Sequence, residues 1–430
     1  MGLLVRNGHI LNPASDTDEV LDLYIQEGRI CKMAENLQPG PQDEVIDAQG
    51  CYVLPGLIDL HVHLRDPGLT HKEDVVTGSR AAAHGGYTTI VAMPNTKPVA
   101  DCAEVIRYVH AKAEETGLVH VLQTGCITKG MAGQELSDLT GMIEAGIPAI
   151  SEDGKSVMNS NLYREAMKIA AAANIPVLAH CEDINLVNGG VINQGAKSVE
   201  LGVNGISNAV ENIIVARDIM LAEETGATLH LCHCSTKESV MMVRDAKEKG
   251  IKVSGEVCPH HFTLTDADIV EGDANYKMNP PLRTAEDVEA LKEGLRSGVM
   301  EVISTDHAPH TEEEKAKDLQ QAPFGIVGME TAAALTYTEL VLPGILTPMG
   351  MAEKMSYNPA RILGIDKGDI SVGHVADVTI FDPRPTYQIH GDDFMGKSKN
   401  MPFEGRRVTG RVVATILDGK IVYQDGRITK

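Results

Sequence analysis

The sequence predicts an α/β protein, a (β/α)8 TIM-like barrel carrying a small β-sandwich domain formed by both termini. Three observations lead there. Residues 55–367 alternate eight short apolar runs with helix-like stretches. No glycine-rich phosphate loop follows the first run, which argues against an open doubly wound sheet. Residues 1–54 and 368–430 share a different style, short alternating strands broken by turns, and so read as two parts of one β unit.

The N-terminal part shows this in Leu21-Asp22-Leu23-Tyr24-Ile25, which alternates and stops at Glu27-Gly28, a hairpin-like punctuation. The barrel runs then occupy residues 57–64, 88–93, 119–126, 148–151, 177–180, 228–234, 252–257 and 302–305. Helical periodicity fills the gaps, clearest over residues 101–115, 161–173, 210–224 and 285–297. After the eighth run, residues 311–321 (TEEEKAKDLQQ) read either as a solvated surface segment or as a lid. The C-terminal part closes with Val412-Val413-Ala414-Thr415-Ile416-Leu417, the turn Asp418-Gly419, and Lys420-Ile421-Val422-Tyr423.

With 60 acidic and 38 basic residues the chain carries a formal charge of -22. That field repels nucleic acid and anionic membranes, so neither is expected as a partner. No run approaches the ~20 apolar residues of a membrane span, and the first residues lack the pattern of a secretory signal. Eight scattered cysteines without a CxxC pair read as reduced core residues, so the expected location is cytoplasmic. Cys232 and Cys234 bracket His233 and, on an ideal strand, point to the opposite face from it.

The chemistry sits where the runs end. The first ends in His61-Val62-His63-Leu64-Arg65, and alternation puts His61, His63 and Arg65 on one face. Asp153 follows the fourth run, His180 ends the fifth, His233 lies at the end of the sixth, and Asp306 follows the eighth. In such barrels the C-terminal strand ends build the active site. A lone histidine reads as structural; four imidazoles and two carboxylates at successive strand ends read as a metal site. That donor set suits zinc ahead of iron or manganese, and the count suffices for two ions sharing a bridging carboxylate. His260 and His261 end the seventh run and are candidates to support the ligands. His230 falls on the opposite face of the sixth run from His233, and the remaining histidines read as structural or surface residues.

At this point the motifs resemble those of the amidohydrolase superfamily and, within it, the type I (class I) dihydroorotases. The resemblance covers nearly the whole chain. It is carried by Pro55-Gly56-Leu57-Ile58-Asp59-Leu60-His61-Val62-His63-Leu64-Arg65-Asp66-Pro67-Gly68, by Met93-Pro94-Asn95-Thr96, and by Lys277-Met278-Asn279-Pro280-Pro281-Leu282-Arg283. Asp306-His307-Ala308-Pro309-His310 and the segment from Ala322 to Glu330 complete it. The resemblance implies zinc, two ions per subunit: His61, His63 and Asp306 on the first, His180 and His233 on the second, Asp153 bridging. It implies Asp306 as the proton-transferring catalytic residue. It implies Arg65 and Asn95, with His63 and His310 beside them, for a substrate carboxylate, and Asn279, Phe324 and Gly325 for the ring. The implied reaction is the reversible cyclisation of N-carbamoyl-L-aspartate to (S)-dihydroorotate in pyrimidine biosynthesis, by a homodimer able to associate with aspartate transcarbamoylase.

Two departures are visible, Asp66 where Glu is commoner and Ser207 where Pro is frequent; neither is a proposed ligand. Two other readings stay on the table. A hydantoinase, dihydropyrimidinase or allantoinase shares the fold but bridges its metals with a carboxylated lysine, for which Lys155 would be the candidate. An inactive dihydroorotase-like partner of the transcarbamoylase would lose ligands that this chain keeps.

Overall fold

The computed structural model describes residues 2–429 and holds eight parallel barrel strands. They are Leu57–Val62, Tyr87–Ala92, His120–Gln123 continued by Gly125–Cys126, Ile150–Ser151, Val177–Ala179, Leu229–Leu231, Val253–Val257 and Val302–Ile303. Consecutive strands pair in parallel register, the third pairing with the second before Thr124 and with the fourth after it. The ring closes where His63 N–H donates to the His307 carbonyl at 2.8 Å. Strands buried on both faces are continuously apolar or β-branched, as in the fully buried Tyr87–Ala92.

Inside the barrel, Ile58, Leu60, Val91, Leu178, Cys232 and Val302 form one apolar cluster; Leu57, Val62, Ile90, Val177 and Leu231 belong to the cluster shared with the outer helices. The first strand changes phase between these sets. Its register against the second strand shifts between Asp59 and Val62. A bulge re-aims the side chains beyond it. Leu60 points inward, and so do His61 and His63, while Val62 faces the helices. Helix Asn358–Leu363 plugs the opposite end: Asn358 Nδ2 donates to the Glu301 carbonyl at 2.9 Å, and Ala360 and Leu363 join the interior cluster.

The intervening helices start and stop on local signals. Thr284 caps Ala285–Ser297 by accepting from Asp287 N–H while Asp287 reaches back, and Gly298 ends it at φ +78°. Such a cap contributes about 1 kcal/mol.

Strands from both termini share one nine-stranded sheet. Tyr52–Pro55 lies between Leu3–Asn12, to which it is parallel, and Val378–Gln388, to which it is antiparallel. Leu23, Ile25, Val53, Val378 and Ile416 meet in the apolar core of this sheet. Between Gln388 and Arg407 the chain leaves the sheet. Met401 and Phe403 there pack with Leu282 and Ile326, which brings Asn400 to the barrel mouth. Among the described residues no helix is long and apolar enough to cross a membrane.

Candidate active site

The Asp153 carboxylate stands among four imidazoles. Its Oδ1 lies 3.2 Å from His61 Nε2, 3.2 Å from His180 Nδ1 and 3.5 Å from His233 Nε2; its Oδ2 lies 3.4 Å from His63 Nε2. Asp306 Oδ1 reaches the same space, 3.0 Å from His63 Nε2 and 3.6 Å from His61 Nε2. All six side chains are buried. Two of them depend on unusual backbone: His233 has φ +36° and Asp306 φ +48°, and Arg65 shares this at +59°. Left-handed backbone is costly for a non-glycine residue and persists where the surroundings enforce it.

His61 Nε2 and Asp153 Oδ1 are buried and have no hydrogen-bond partner among the described residues, although they face one another. Burial alone pushes the Asp153 carboxyl up, but the His61 charge and the surrounding rings hold it well below the ordinary carboxylate range. Burial likewise opposes charge on His61, and the Asp153 carboxylate lifts it well above the ordinary imidazole value. Imidazoles and carboxylates converging at these separations on one buried point fit a divalent cation, which would displace the shared proton.

Carboxylates and amides behind this cluster fix its orientation. His61 Nδ1 is 3.1 Å from Glu256 Oε1. Glu256 also accepts from His233 N–H at 3.1 Å and pairs with His230 Nε2 at 2.9 Å. His63 Nδ1 lies 2.9 Å from Asn95 Oδ1. Asp59 accepts from Thr305 N, Thr305 Oγ1 and His61 N, tying the ends of the first and eighth strands together. Burial pushes that carboxyl up to about 6. Partners of this kind set the tautomer and direction of a ligand.

A cavity of about 220 Å³ opens on the cluster, lined by His63, Arg65, Asn95, Asp153, His180, His233, Asn279, Asp306, His310, Phe324 and Gly325 among others. It is smaller than the ~300 Å³ at the low end for drug-sized ligands, so it selects a small substrate. Larger depressions of about 640 and 800 Å³ lie away from the cluster. Buried Arg65 donates from Nε to the Pro309 carbonyl at 3.3 Å, and its Nη2 stands 3.4 Å from His310 Nε2. Asn279 Nδ2 donates to Glu182 Oε1 at 2.7 Å, and Glu182 Oε2 lies 3.5 Å from His180 Nε2. His261 Nε2, 2.9 Å from the Pro280 carbonyl, steadies the Asn279 segment. Lys155 instead donates to the Met131 carbonyl at 3.1 Å, outside the imidazole cluster.

A curated dihydroorotase from Pelotomaculum thermopropionicum is 48% identical over 425 residues, 99% of each chain. One from Geobacter metallireducens is 47% identical over 99% of this chain and 100% of the relative. The chain belongs to the dihydroorotase family. The family's sequence profile, described as dihydro-orotase-like, matches residues 50–239. Among solved structures, the L-hydantoinase (dihydropyrimidinase) from Arthrobacter aurescens superposes with a TM-score of 0.88 at 25% identity, covering all of this chain and 97% of its own. The D-hydantoinase (dihydropyrimidinase) from a Thermus species gives 0.85 at 27% identity, covering 99% and 96%. This chain thus shares its overall fold with these hydantoinases.

Within this dihydroorotase fold, every site residue expected from the sequence lines one cavity or faces the Asp153 cluster. Strict alternation misplaced others. The sixth strand ends at Leu231, and His233 enters the site through its left-handed backbone. Cys232 therefore lies inside the barrel rather than opposite the site, while Cys234 packs outside. His230 also points inward, onto Glu256. Glu256 and Asp59 were the missed residues; each is a lone acid in an apolar strand, which was a readable signal. Asn400, which accepts from His310 N–H at 3.1 Å and donates to the Gly325 carbonyl at 3.0 Å, arrives from the C-terminal segment without local warning.

Proposed function

We propose that this chain works as a metal-dependent dihydroorotase, interconverting (S)-dihydroorotate and N-carbamoyl-L-aspartate. The observation that carries the reading is the Asp153 carboxylate among four imidazoles in a 220 Å³ cavity that also holds buried Arg65. His61, His63 and Asp306 would hold one zinc, His180 and His233 a second, with Asp153 between them. When bound, zinc lowers the pKa of a water and polarises a carbonyl.

The chain's own groups do the rest. Asp306 takes the proton of the attacking water and delivers it to the leaving ring nitrogen. Burial raises its carboxyl, but the His63 hydrogen bond and the His61 charge outweigh that and hold it below the ordinary carboxylate range, so it is ionised and has an oxygen open to a proton at neutral pH. Arg65 binds the substrate carboxylate through its planar fork. Asn95 uses its oxygen on His63, which leaves the amide nitrogen for the same carboxylate. Asn279 and the Phe324–Gly325 backbone hold the ring, and the reverse path closes it.

Lys155, turned to the Met131 carbonyl, does not supply the lysine bridge that a hydantoinase-type centre uses. The reading extends to a cytoplasmic homodimer able to dock aspartate transcarbamoylase; that part rests on the family resemblance alone. The test is metal content together with turnover. About two zinc ions per chain and hydrolysis of dihydroorotate over hydantoin support the proposal. Prompt hydrolysis of hydantoin or allantoin with none of dihydroorotate overturns it. A metal-free, inactive chain that still binds the transcarbamoylase would make it a scaffold.

A further inference from the structure

The segment after the eighth strand is fastened by two buried lysines that the sequence left without a role. Helix Glu312–Lys315 opens on a capping box between Thr311 and Glu314. Glu314 is occupied there: it pairs with Lys72 at 2.9 Å, accepts from Thr311 N–H at 3.1 Å and faces His310 Nδ1 at 3.3 Å. Lys315, the next residue, turns inward and is 7% exposed. Its Nζ donates to three backbone carbonyls, those of Lys277 at 3.1 Å, Pro323 at 3.1 Å and Gly325 at 2.9 Å. Burial lowers Lys315 to about 7, and in its protonated form it has three N–H donors, one for each of these carbonyls.

Lys277 answers from the other side. Its Nζ donates to the Leu319 carbonyl at 2.6 Å and lies 4.5 Å from the centre of the Phe324 ring. Its carbonyl accepts from Gly325 N–H at 3.0 Å as well as from Lys315. The fastened pair, Phe324 and Gly325, lines the cavity. There is no slack at that point. Gly325 sits at φ +127°, a Cβ on it would meet Ala308 Cβ at 2.7 Å, and the Phe324 carbonyl lies 2.8 Å from His310 Nε2.

We infer that Lys315 is a positioning residue, which with Lys277 sets the Phe324–Gly325 backbone against the substrate ring. Burying an ammonium against neutral carbonyls is costly unless each donor is matched, so the contact defines one loop geometry rather than a range of them. The inference rests on the dihydroorotase reading for the identity of the ring, while the fastening itself is independent of substrate.

The experiment uses the full-length, zinc-loaded protein and its Lys315→Met and Lys277→Met variants. Losing a contact that holds ground state and transition state alike raises KM and leaves kcat. Lys315→Met is expected to raise KM for dihydroorotate about tenfold with kcat within about threefold, consistent with loss of charge-assisted hydrogen bonds. Lys277→Met should show the same split, and it decides the matter if the first variant fails to fold. Hydrogen exchange on the unliganded proteins should be faster over residues 316–325 in both variants. Unchanged exchange overturns the fastening; faster exchange with unchanged KM overturns the positioning role. A wild-type protein that turns over no dihydroorotate sinks the dihydroorotase reading instead, and the exchange comparison still decides whether the lysines hold the loop.

Discussion

His61 Nδ1 and Glu256 Oε1 lie 3.1 Å apart, and both side chains are completely buried. Burial pushes the Glu256 carboxyl up, but hydrogen bonds from His230 and His61 outweigh it and hold the group ionised. An ionised Glu256 holds the His61 Nδ1 proton and turns Nε2 toward Asp153, the side on which a metal ion would be held. Glu256→Gln keeps the volume and removes the charge. Metal affinity and kcat should each fall by about 10- to 100-fold, the usual cost of losing such a partner. Zinc retention during dialysis against a chelator, measured beside kcat, checks this; wild-type retention would reduce Glu256 to a packing residue.

Much of this arrangement was legible because a parallel barrel presents its strand ends in sequence order. His61, Asp153, His180, His233 and Asp306 each lie at or within three residues of the end of one strand, so a local reading of each run found them. Two kinds of residue were hidden. Where the backbone departs from period two, at the Asp59–Val62 bulge and at left-handed His233, alternation assigns the wrong face, as it did for Cys232 and His230. Where a partner comes from far along the chain, no local pattern exists; Asn400 meets His310 across 90 residues. Lys315 sits in a charged stretch that reads as solvated surface or as a lid, and only the folded carbonyls of Pro323 and Gly325 explain its burial.

Arg65 offers a test of substrate class. Its guanidinium is buried, which lowers its pKa to about 10 and leaves it charged at neutral pH. Removing one member of a buried charge pair costs ~2–5 kcal/mol, or about 30-fold to several thousand-fold in kcat/KM. Arg65→Met should lose that much toward dihydroorotate. Any residual hydrolysis of uncharged hydantoin should be unaffected, because that ring has no carboxylate to bind. Parallel steady-state kinetics on the two substrates make the comparison. An equal loss on both would show that Arg65 supports the fold of the mouth rather than a carboxylate.

His310 gives the protein a pH-dependent element of stability. Burial and the neighbouring Arg65 and Lys72 charges lower its imidazole to about 3. In the unfolded chain it titrates near the ordinary imidazole value of about 6.5. Between those values the unfolded state binds the extra proton, so stability is full above about 6.5 and falls as the pH drops toward 3. At pH 5 the loss from this group is about 2 kcal/mol. Replacing it with a residue that does not titrate, His310→Gln, removes that slope. Urea unfolding at pH 7.5 and pH 5.0 should show the gap between wild type and variant narrowing at the lower pH; a constant gap would mean that His310 titrates in the fold as it does in the unfolded chain.

Asp306 carries the sharpest kinetic expectation because its two contacts separate structure from chemistry. Its carboxylate stands 3.0 Å from His63 Nε2 and 3.6 Å from His61 Nε2, close enough to share a cation with both. Asp306→Asn keeps the shape and an oxygen ligand but cannot accept and return a proton. A positioned general base contributes about 10²–10⁴-fold, so kcat should fall by that factor in both directions of the reaction. His180, His233 and Asp153 are untouched, so an ion held by them should remain, and zinc per chain should drop by no more than the share that would be held through Asp306. Metal analysis and kinetics on one preparation distinguish the cases. Full zinc with kcat near wild type would take the proton-transfer role away from Asp306, whereas loss of zinc in proportion to activity would make it a ligand and nothing more.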